Sequence, residues 1–223
     1  MARNLGSKAA SGAYQQIINL MPPHDCYIEA FLGGGTVMKR KAPAIRSFGL
    51  DLDERCLNAG DYDDGVTLIH DDALNWLRKF DFDAFGSVVV YCDPPYVKST
   101  RSSNNRYRFE MTDDDHKKLL GLLKALPCHV MVSGYDNPIY TELVGHWWQH
   151  SFRSQTRGGV RIEKVWCNFE PGEMHYHTYT GNNASERQRI KRKADRMAKK
   201  IRALPDAERQ AVVAAILIAL NEP

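Results

Sequence analysis

The sequence predicts an α/β protein with a parallel central sheet and a helical tail at its carboxyl end. The run from Val88 to Cys92 is apolar, largely β-branched and preceded by Gly86-Ser87, which is typical of a strand buried on both faces. Three earlier apolar stretches end in glycines or acids and lead into helical patterns, which indicates alternating strands and helices. Two alternating runs near residue 160 predict a hairpin.

The first half of the chain alternates between predicted helices and strands. Apolar residues at helical spacing over 14–21 stop at Pro22-Pro23 and predict a first helix. The predicted strands that follow are 26–31, 45–50 and 66–69, and the predicted helices begin after the glycines at 33–35 and cover 54–58 and 73–80. With 88–92, four predicted strands therefore have acidic or glycine-rich carboxyl ends.

The second half continues the pattern and closes it with the hairpin. Thr112 and the three aspartates after it predict a cap for a helix whose apolar residues recur over 119–126. A fifth strand is predicted over 129–132, and the hairpin over 151–169. Three residues between them are expected to pack in the core or on a helix and not to bind a ligand: Val144, Trp147 and Trp148.

The composition excludes several classes of protein. The chain has 223 residues, 43% hydrophobic and 26% charged, with no apolar run long enough to span a membrane and no signal-peptide core near Met1. Its five cysteines are an odd number without a Cys-x-x-Cys pair, so neither a disulfide framework nor a metal site is predicted. We therefore expect a cytoplasmic protein that does not bind a membrane.

The charge is unevenly placed along the chain. The net charge is +3, yet residues 185–210 carry ten Lys or Arg against four acids. This favours a main domain over 1–180 and a basic helical extension over 181–223, with nucleic acid as the partner; a merely solvated basic helix is the alternative. A second tail helix over 206–220 is nearly all apolar after Gln210, so we expect it to be covered by the first tail helix, the body or another subunit in a homodimer.

The tetrapeptide Asp93-Pro94-Pro95-Tyr96 directly follows the central strand. Each proline disfavours the helical conformation for the residue before it, so Asp93 and Pro94 are held extended. The Asp93 carboxylate and the Pro94 carbonyl then lie side by side as acceptors near the Tyr96 ring, which suits a planar ligand that carries an amino group. A proline-rich turn without a function is the alternative.

The glycines after the first strand and an acid after the second indicate a nucleotide-like cofactor. Gly33 and Gly35 let the backbone approach a ligand, although a tight turn needs the same residues. They do not complete a dinucleotide fingerprint, because Met38 occupies its third glycine position. Asp51 could take both hydroxyls of a ribose, which implies an adenosine-containing cofactor, whereas Asp53 suits the cap of the next helix.

Taken in order, these motifs resemble the Dam-type, D12-class adenine-N6 DNA methyltransferases, and among them the compact phage-like forms. The resemblance extends over roughly residues 4–170 and rests on short segments at 5–8, 27–35, 51–53, 93–96 and 161–168. It implies the class I S-adenosylmethionine-dependent methyltransferase fold, a Rossmann-like, seven-stranded mixed sheet whose last strand is inserted antiparallel. It also implies the cytoplasm of a bacterium or of a phage-infected cell.

The resemblance implies roles for individual residues. Six would line S-adenosylmethionine, with Asp51 on the ribose, Asp72 facing the adenine and Lys8 on the cofactor or the catalytic acid: Lys8, Phe31, Gly33, Gly35, Asp51 and Asp72. The catalytic residues would be Asp93, Pro94, Pro95 and Tyr96. The target adenine of duplex DNA would be flipped out of the helix and would stack on Tyr96.

The residues that read the target sequence are harder to assign. Only twenty residues separate Asp72 from Asp93, so there is no room between them for the recognition segment of longer relatives. The loop over 97–110 is the first candidate, through Arg101, Asn104, Asn105 and Arg106. The hairpin is the second, through Arg153, Arg157 and Arg161. Phosphate contact or plain solvation is the alternative for both sets.

The predicted function is therefore site-specific methylation of adenine N6 in DNA. An RNA adenine or a DNA cytosine-N4 methyltransferase would use the same pair of acceptors, because any exocyclic amine fits them. A non-catalytic nucleic-acid-binding subunit with the same fold is a further alternative, against which the intact Asp93 and the glycine loop speak.

Overall fold

The structure is a computed structural model, and it describes residues 8, 12–58, 60–101, 108–156, 159–172 and 183–221. Within these residues seven strands form one sheet: β1 (Cys26–Glu29), β2 (Arg46–Asp51), β3 (Val66–His70), β4 (Val88–Cys92), β5 (His129–Gly134), β6 (Trp148–Thr156) and β7 (Gly159–Cys167). The helices are α1 (Ala13–Ile18), α2 (Thr36–Arg40), α3 (Glu54–Leu57), α4 (Ala73–Leu77), α5 (Asp113–Ala125), α6 (Pro138–Val144), α7 (Ala184–Arg202) and α8 (Asp206–Asn221).

The strand order identifies the architecture. The order is β3-β2-β1-β4-β5-β7-β6, in which β1 to β5 run parallel and β7 is antiparallel to both β5 and β6. This is the class I methyltransferase sheet, and it confirms the predicted seven-stranded mixed arrangement with the last strand inserted antiparallel. The carboxyl ends of β1, β2 and β4 lie at one edge, so their loops converge there.

The centre of the sheet is β4, which lies between β1 and β5. All five of its residues are at most 4% exposed, so the predicted burial on both faces is confirmed. Leu119, Leu120 and Leu123 of α5 are fully buried in the same core. Full burial of one such aliphatic side chain contributes about 1.5–3 kcal/mol, so the residue after β4 follows a strand that is firmly held in the core.

Two predicted helix caps are confirmed. Thr112 accepts the Asp115 N–H and Asp115 accepts the Thr112 N–H, which forms a capping box at the start of α5. The side chain of Asp53 accepts the Arg55 N–H at the start of α3. Asp53 is thereby separated in role from its neighbour Asp51, as the sequence indicated.

Some boundaries differ from the predicted ones. The predicted helix over 73–80 ends at Leu77, because Phe80 turns into an aromatic cluster in which its ring stacks on Phe85 at 5.2 Å. Helix α6 was not predicted, although Asn137 caps it and Pro138 occupies its first turn. Val144 and Trp147 are buried as expected, whereas Trp148 begins β6 and is half-buried.

The chain divides into two compact units, Met1–His177 and Thr178–Pro223. The boundary predicted after residue 180 falls within 173–182, outside the described residues. In the second unit α8 contacts α7, and three of its residues are 36 to 42% exposed: Val212, Val213 and Ile216. Coverage of α8 by another subunit stays a prediction. Every helix in the described ranges is too short or too polar to cross a bilayer.

Candidate active site

The predicted tetrapeptide leaves the sheet at the carboxyl end of β4. Pro94 and Tyr96 are buried, while the Asp93 side chain keeps 18% of its surface exposed. The chain before Asp93 is fixed in the centre of the sheet, and the prolines after it restrict its backbone to extended conformations. The carboxylate is therefore presented from a rigid support at the edge where the loops converge.

Lys8 contacts this carboxylate from the beginning of the chain. Its Nζ lies 2.8 Å from Asp93 Oδ1 and 2.7 Å from Asp93 Oδ2, and it donates to the Tyr96 hydroxyl at 2.7 Å. It also lies 5.0 Å from the centre of the Tyr96 ring. Of the two roles expected for Lys8, the structure displays the contact with the acid.

Glu163 of β7 completes the arrangement. Its Oε1 accepts the Tyr96 hydroxyl at 2.6 Å and the Lys8 ammonium at 3.2 Å, and the residue is 4% exposed. Lys8, Asp93, Tyr96 and Glu163 form one hydrogen-bonded group, which we call the acid–lysine cluster. It joins segments that are up to 155 residues apart in the sequence.

The cluster holds two carboxylates and one ammonium. Burial raises the pKa of the Asp93 carboxyl, the Lys8 ammonium lowers it and the Glu163 carboxylate raises it again, so that the net shift is upward. Burial also raises the pKa of the Tyr96 hydroxyl well above its usual range, so the hydroxyl stays protonated and acts as a donor to Glu163.

His116 of α5 supports the tetrapeptide from below. The residue is completely buried, its Nδ1 shares a hydrogen bond of 3.2 Å with the Tyr140 hydroxyl, and the Pro95 carbonyl faces its ring. Burial lowers the pKa of His116, so the ring is neutral at pH 7. The neutral imidazole therefore packs against the tetrapeptide at Pro95 and adds no charge to the acid–lysine cluster.

The glycine loop after β1 forms the neighbouring part of the site. Gly33 and Gly35 both adopt positive φ, and the space where a Gly33 side chain would begin is open. A Cβ on Gly35 would instead overlap the Tyr62 hydroxyl. Asp51 accepts the Gly33 N–H at Oδ2 and the Asp53 N–H at Oδ1, both at 2.8 Å. An open backbone beside a carboxylate with further lone pairs fits a ligand that carries vicinal hydroxyls.

Glu29, the last residue of β1, anchors this loop. Its Oε2 accepts the Met38 N–H at 2.8 Å and the Tyr27 hydroxyl at 3.1 Å. Burial raises the pKa of Glu29 to about 8, so this carboxyl is protonated at neutral pH. It ties the strand to α2 and does not add a negative charge near Asp93.

The segment that supplies the tetrapeptide is also the one that a comparison with known families recognises. Residues 78–161 match the family model of the D12 class N6 adenine-specific DNA methyltransferases. The match begins shortly before β4 and ends two residues before Glu163. It indicates adenine-specific DNA methyltransferase activity and S-adenosylmethionine as the methyl donor.

Solved structures resemble the chain at low identity. They include a precorrin-8w decarboxylase from Methanobacterium thermoautotrophicum (TM-score 0.46, 14% identity, 73% of this chain and 91% of that one). A spermidine synthase from Thermotoga maritima is also similar, with a TM-score of 0.47 and 10% identity over 92% of this chain and 76% of that one. A SAM-dependent methyltransferase from Agrobacterium tumefaciens has a TM-score of 0.42 and 12% identity over 71% of this chain and 60% of that one. This chain therefore spans less than two thirds of its length. No curated protein matches the chain significantly.

The residues expected to bind the cofactor of a D12 methyltransferase lie at two neighbouring strand exits and at a helix start. Phe31 and Gly33 follow β1, and Asp51 ends β2, where it bonds to Gly33. Asp72 caps α4 by accepting the Asn75 N–H at 2.9 Å. In the described part of the chain, no group of His, Cys, Asp or Glu is arranged to hold a metal ion.

The structure corrects the position expected for Arg101. Its guanidinium is 3% exposed and pairs with both carboxylate oxygens of Glu110, so it closes the base of the loop and does not point outward to read a base. The other predicted base readers, Asn104, Asn105 and Arg106 in the loop and Arg157 in the hairpin, lie outside the described residues.

A pocket of about 550 Å³ lies beside the cluster, between the turn after Tyr96 and the start of α6. Tyr135 lines it and places its ring edge-on to Tyr96 at 4.7 Å. Arg161 lines it as well, lies over the Tyr135 ring at 5.4 Å and donates to the Thr100 carbonyl at 2.8 Å. The pocket thus combines an aromatic face and a cation next to the tetrapeptide.

Sequence reasoning missed Glu163 and Glu29 as site residues. A signal for Glu163 was present, since it falls in the buried phase of an alternating strand together with Val165 and Cys167. For Glu29 the signal was an acid inside a fully buried strand. An acid at a core position is costly without partners. The partners of Glu163 lie on distant segments and were not visible before β7 was placed in the sheet, whereas those of Glu29 are the nearby Tyr27 and Met38.

Proposed function

We propose that the chain is a site-specific DNA methyltransferase that transfers a methyl group from S-adenosylmethionine to the N6 amine of a flipped-out adenine. The observation that carries this proposal is the Asp93 carboxylate at the exit of β4, held by Lys8 beside the Pro94 carbonyl and Tyr96. This arrangement offers two acceptors to an amine on a rigid support. The match of residues 78–161 to adenine-specific enzymes supports the same reading.

The chemistry requires positioning more than a strong base. The lone pair of an adenine amine is delocalised into the ring, so the amine is a poor nucleophile until its two N–H groups are bound. Asp93 and the Pro94 carbonyl would each accept one of them and draw the nitrogen toward tetrahedral geometry. When bound, S-adenosylmethionine supplies the methyl group as an electrophile, and the protein contributes by holding the amine in line with it.

The cofactor would lie along the exits of β1 and β2. Each Asp51 oxygen already accepts one backbone N–H, the Cys56 thiol also bonds to this carboxylate, and the lone pairs that remain could accept a ribose hydroxyl. The open space at Gly33 lets the backbone approach the cofactor. Phe31, two residues earlier, is partly buried against the core and would line the cofactor with its remaining exposed surface. Asp72 uses Oδ1 to cap α4 and would present its other oxygen to the cofactor adenine.

The target base would enter from the side of Tyr135 and Arg161. Tyr96 is only 7% exposed, so a base that stacks on it requires some opening of the cluster around its ring. The adjacent pocket of about 550 Å³ places an aromatic ring and a guanidinium at its wall. Flipping the adenine out of the duplex is needed because the amine cannot reach Asp93 from within the helix.

Sequence recognition would belong to the loop over 97–110 and to the hairpin. Arg101 is occupied by Glu110, so we assign base contacts in the loop to Asn104, Asn105 and Arg106. Arg153, Arg157 and Arg161 of the hairpin are the second set. The finer resemblance to compact phage-like forms stays a prediction, as does the cytoplasm of a bacterial or phage-infected cell as the place of action.

The tail would bind DNA through its phosphates or join two subunits. Helix α7 presents nine Lys or Arg side chains, which suits contact with a phosphate backbone. The exposed residues of α8 suit a homodimer contact. Neither role needs a catalytic residue, so a loss of the tail would change affinity or assembly and spare the chemistry.

One assay separates these functions. Purified protein is incubated with methyl-labelled S-adenosylmethionine and either duplex DNA or RNA, and the nucleic acid is digested to nucleosides. We expect label in N6-methyladenine from DNA alone. Label in N4-methylcytosine or only in RNA would support one of the rival enzymes, and folded protein that transfers no label would support a non-catalytic subunit.

A further inference from the structure

The position of Glu163 is unusual for a residue that only stabilises the fold. Its Oε1 accepts hydrogen bonds from Tyr96 and Lys8, but its Oε2 is buried and has no hydrogen-bond partner among the described residues. Most buried polar atoms in proteins are paired, so an unpaired carboxylate oxygen beside a reaction centre needs an explanation.

The charges around Glu163 do not cancel. Lys8 contributes one positive charge, whereas Asp93 and Glu163 contribute two negative charges when both are ionised. The other titratable groups close to these acids have a raised pKa and are neutral at pH 7: Glu29 on β1, Tyr91 and Cys92 on β4, Tyr96 after it and Tyr140 on α6. Arg161, on the same strand as Glu163, is directed to the Thr100 carbonyl and the Tyr135 ring.

We propose that Glu163 is a positioning residue of the methyl-transfer site, which keeps Lys8 and Tyr96 beside Asp93 and leaves the site with one excess negative charge. The proposal rests on the proposed function, because it assigns a task to this charge during methyl transfer. Lys8 alone would be drawn entirely to Asp93 and would neutralise it. Shared between two acids, Lys8 orients Asp93 without cancelling the charge of the site.

The excess charge matches the course of the reaction. The amine lone pair forms the new bond to the methyl carbon, the bond from that carbon to sulfur breaks with its electron pair left on sulfur, and the positive charge passes to the amine. One N–H proton then moves from the amine to Asp93. While the amine is positive, the cluster is negative by one; after the proton has moved, Lys8 and Glu163 remain as a neutral pair. Fixed charges in a site that excludes water stabilise such a charged state strongly.

The test variant is Glu163→Gln. Its amide oxygen can still accept from Tyr96 and Lys8, and its amide nitrogen takes the place of the oxygen that has no partner, so shape is kept and charge is lost. The matched control is Glu163→Asp, which keeps the charge but withdraws it by one methylene. Each protein is assayed for single-turnover methyl transfer to a DNA duplex between pH 5.5 and 9, and for equilibrium binding of S-adenosylmethionine.

We expect Glu163→Gln to lower the transfer rate by about 100-fold, the effect of removing one preorganised electrostatic contact, while cofactor affinity changes less than about threefold. Because the Glu163 charge raises the pKa of Asp93, its loss should also move the acidic limb of the rate profile to lower pH. Glu163→Asp should transfer methyl groups more slowly than the wild-type protein, with the acidic limb of its rate profile at the wild-type pH.

The proposal is overturned if Glu163→Gln has the wild-type transfer rate and the acidic limb of its pH–rate profile does not move. It is also overturned if the transfer rate of Glu163→Asp falls as far as that of Glu163→Gln. Carbon-13 NMR titration of the Asp93 carboxyl supplies a readout without the reaction. If wild-type protein transfers no methyl group, the proposed function fails; if the Asp93 titration midpoint is equal in wild-type and Glu163→Gln, the role of Glu163 fails separately. If Glu163→Gln does not fold, a Glu163→Asp protein whose acidic limb moves to another pH contradicts the proposal.

Discussion

The carboxylate of Asp51 holds the backbone of Gly33, because its Oδ2 accepts the Gly33 N–H at 2.8 Å across the exits of β1 and β2. One side chain therefore shapes the glycine loop and faces the space predicted for the ribose.

Replacing Asp51 by alanine should weaken S-adenosylmethionine binding by about 10- to 100-fold, since hydrogen bonds to a charged acceptor contribute about 1.5–3 kcal/mol. Isothermal titration calorimetry measures the effect. Asp53→Ala is the matched control: it should cost about 1 kcal/mol of stability through the lost cap of α3 and leave the affinity unchanged. Equal affinities in the Asp51→Ala and wild-type proteins would remove Asp51 from the cofactor site.

Replacing Asp93 by alanine should abolish methyl transfer and leave the fold intact, because the residue follows β4 and its side chain lies outside the core cluster. Radiolabel transfer to duplex DNA and circular dichroism measure the two properties. Asp114→Ala changes an exposed acid of α5 and should retain activity. Appreciable transfer by Asp93→Ala would show that the chemistry is assigned to the wrong acid.

Glu29 should make the stability of the protein depend on pH. Burial raises the pKa of Glu29 to about 8 from 4.5, so its contribution is complete below pH 4.5 and is lost as the pH rises toward 8. From pH 4.5 to 7 the free energy of unfolding should fall by about 3 kcal/mol from this group, since each pKa unit corresponds to about 1.4 kcal/mol. Urea denaturation at a series of pH values measures it.

Glu29→Gln is expected to flatten this dependence, whereas Glu142→Gln, a change at an exposed acid of α6, should retain it. If the wild-type and Glu29→Gln proteins lose stability in parallel, the dependence comes from other groups.

Arg101 should behave as a structural residue and not as a reader of bases. Arg101→Ala removes both hydrogen bonds from this buried guanidinium to the partly buried Glu110 carboxylate and should lower the free energy of unfolding by about 3–5 kcal/mol. Arg108→Ala, which removes an exposed arginine near Asp53, should cost far less. Thermal unfolding compares the two.

In contrast, alanine at Asn104, Asn105 or Arg106 should relax the target preference at one base pair, because a bidentate base contact supplies about 1–3 kcal/mol of discrimination. Methylation profiling over a randomised DNA pool measures it. An unchanged motif in all three variants would shift recognition to the hairpin arginines.

The tail should bind phosphates through α7. Changing Arg192, Lys193 and Arg196 together to glutamine should reduce the slope of log affinity against log salt by about 0.9 for each lost contact with duplex DNA. The same change at three exposed lysines of α5 is the control: Lys117, Lys118 and Lys124. A slope that the α7 changes leave intact would assign DNA binding to the main domain.

Helix α8 is tested separately with Val213→Lys. If α8 forms the contact of a homodimer, sedimentation should show a dimer for the wild-type protein and a monomer for Val213→Lys.

Much of the fold was predictable because local patterns carry it. The apolar run at β4, the capping box at Thr112 and the alternation of the hairpin each need only neighbouring residues to be read. The tetrapeptide and glycine loop were found for the same reason. Asp53 as a cap and Asp51 as a separate acceptor also follow from short-range geometry.

The missed parts depend on side-chain contacts that a local sequence pattern does not specify. Glu163 reaches Tyr96 only because β7 is inserted beside β5, and a strand pattern cannot specify its neighbour in the sheet. Arg101 looked like a surface residue of a polar loop until Glu110, nine positions later, was found against it. The early end of α4 at Leu77 is also a tertiary effect, because the Phe80 ring packs in an aromatic cluster with Phe85 instead of continuing the helix.

The acid–lysine cluster draws on the beginning, the middle and the end of the main domain, with separations of 85, 67 and 155 residues between its members. During synthesis the sheet can grow from β1 to β5 before β7 has left the ribosome. Until then Lys8 has a single acid to pair with, and the Tyr96 hydroxyl lacks its acceptor. The proposed reaction centre is therefore completed only when β7 joins the sheet, so a nascent or truncated chain should carry the proposed cofactor loop without it.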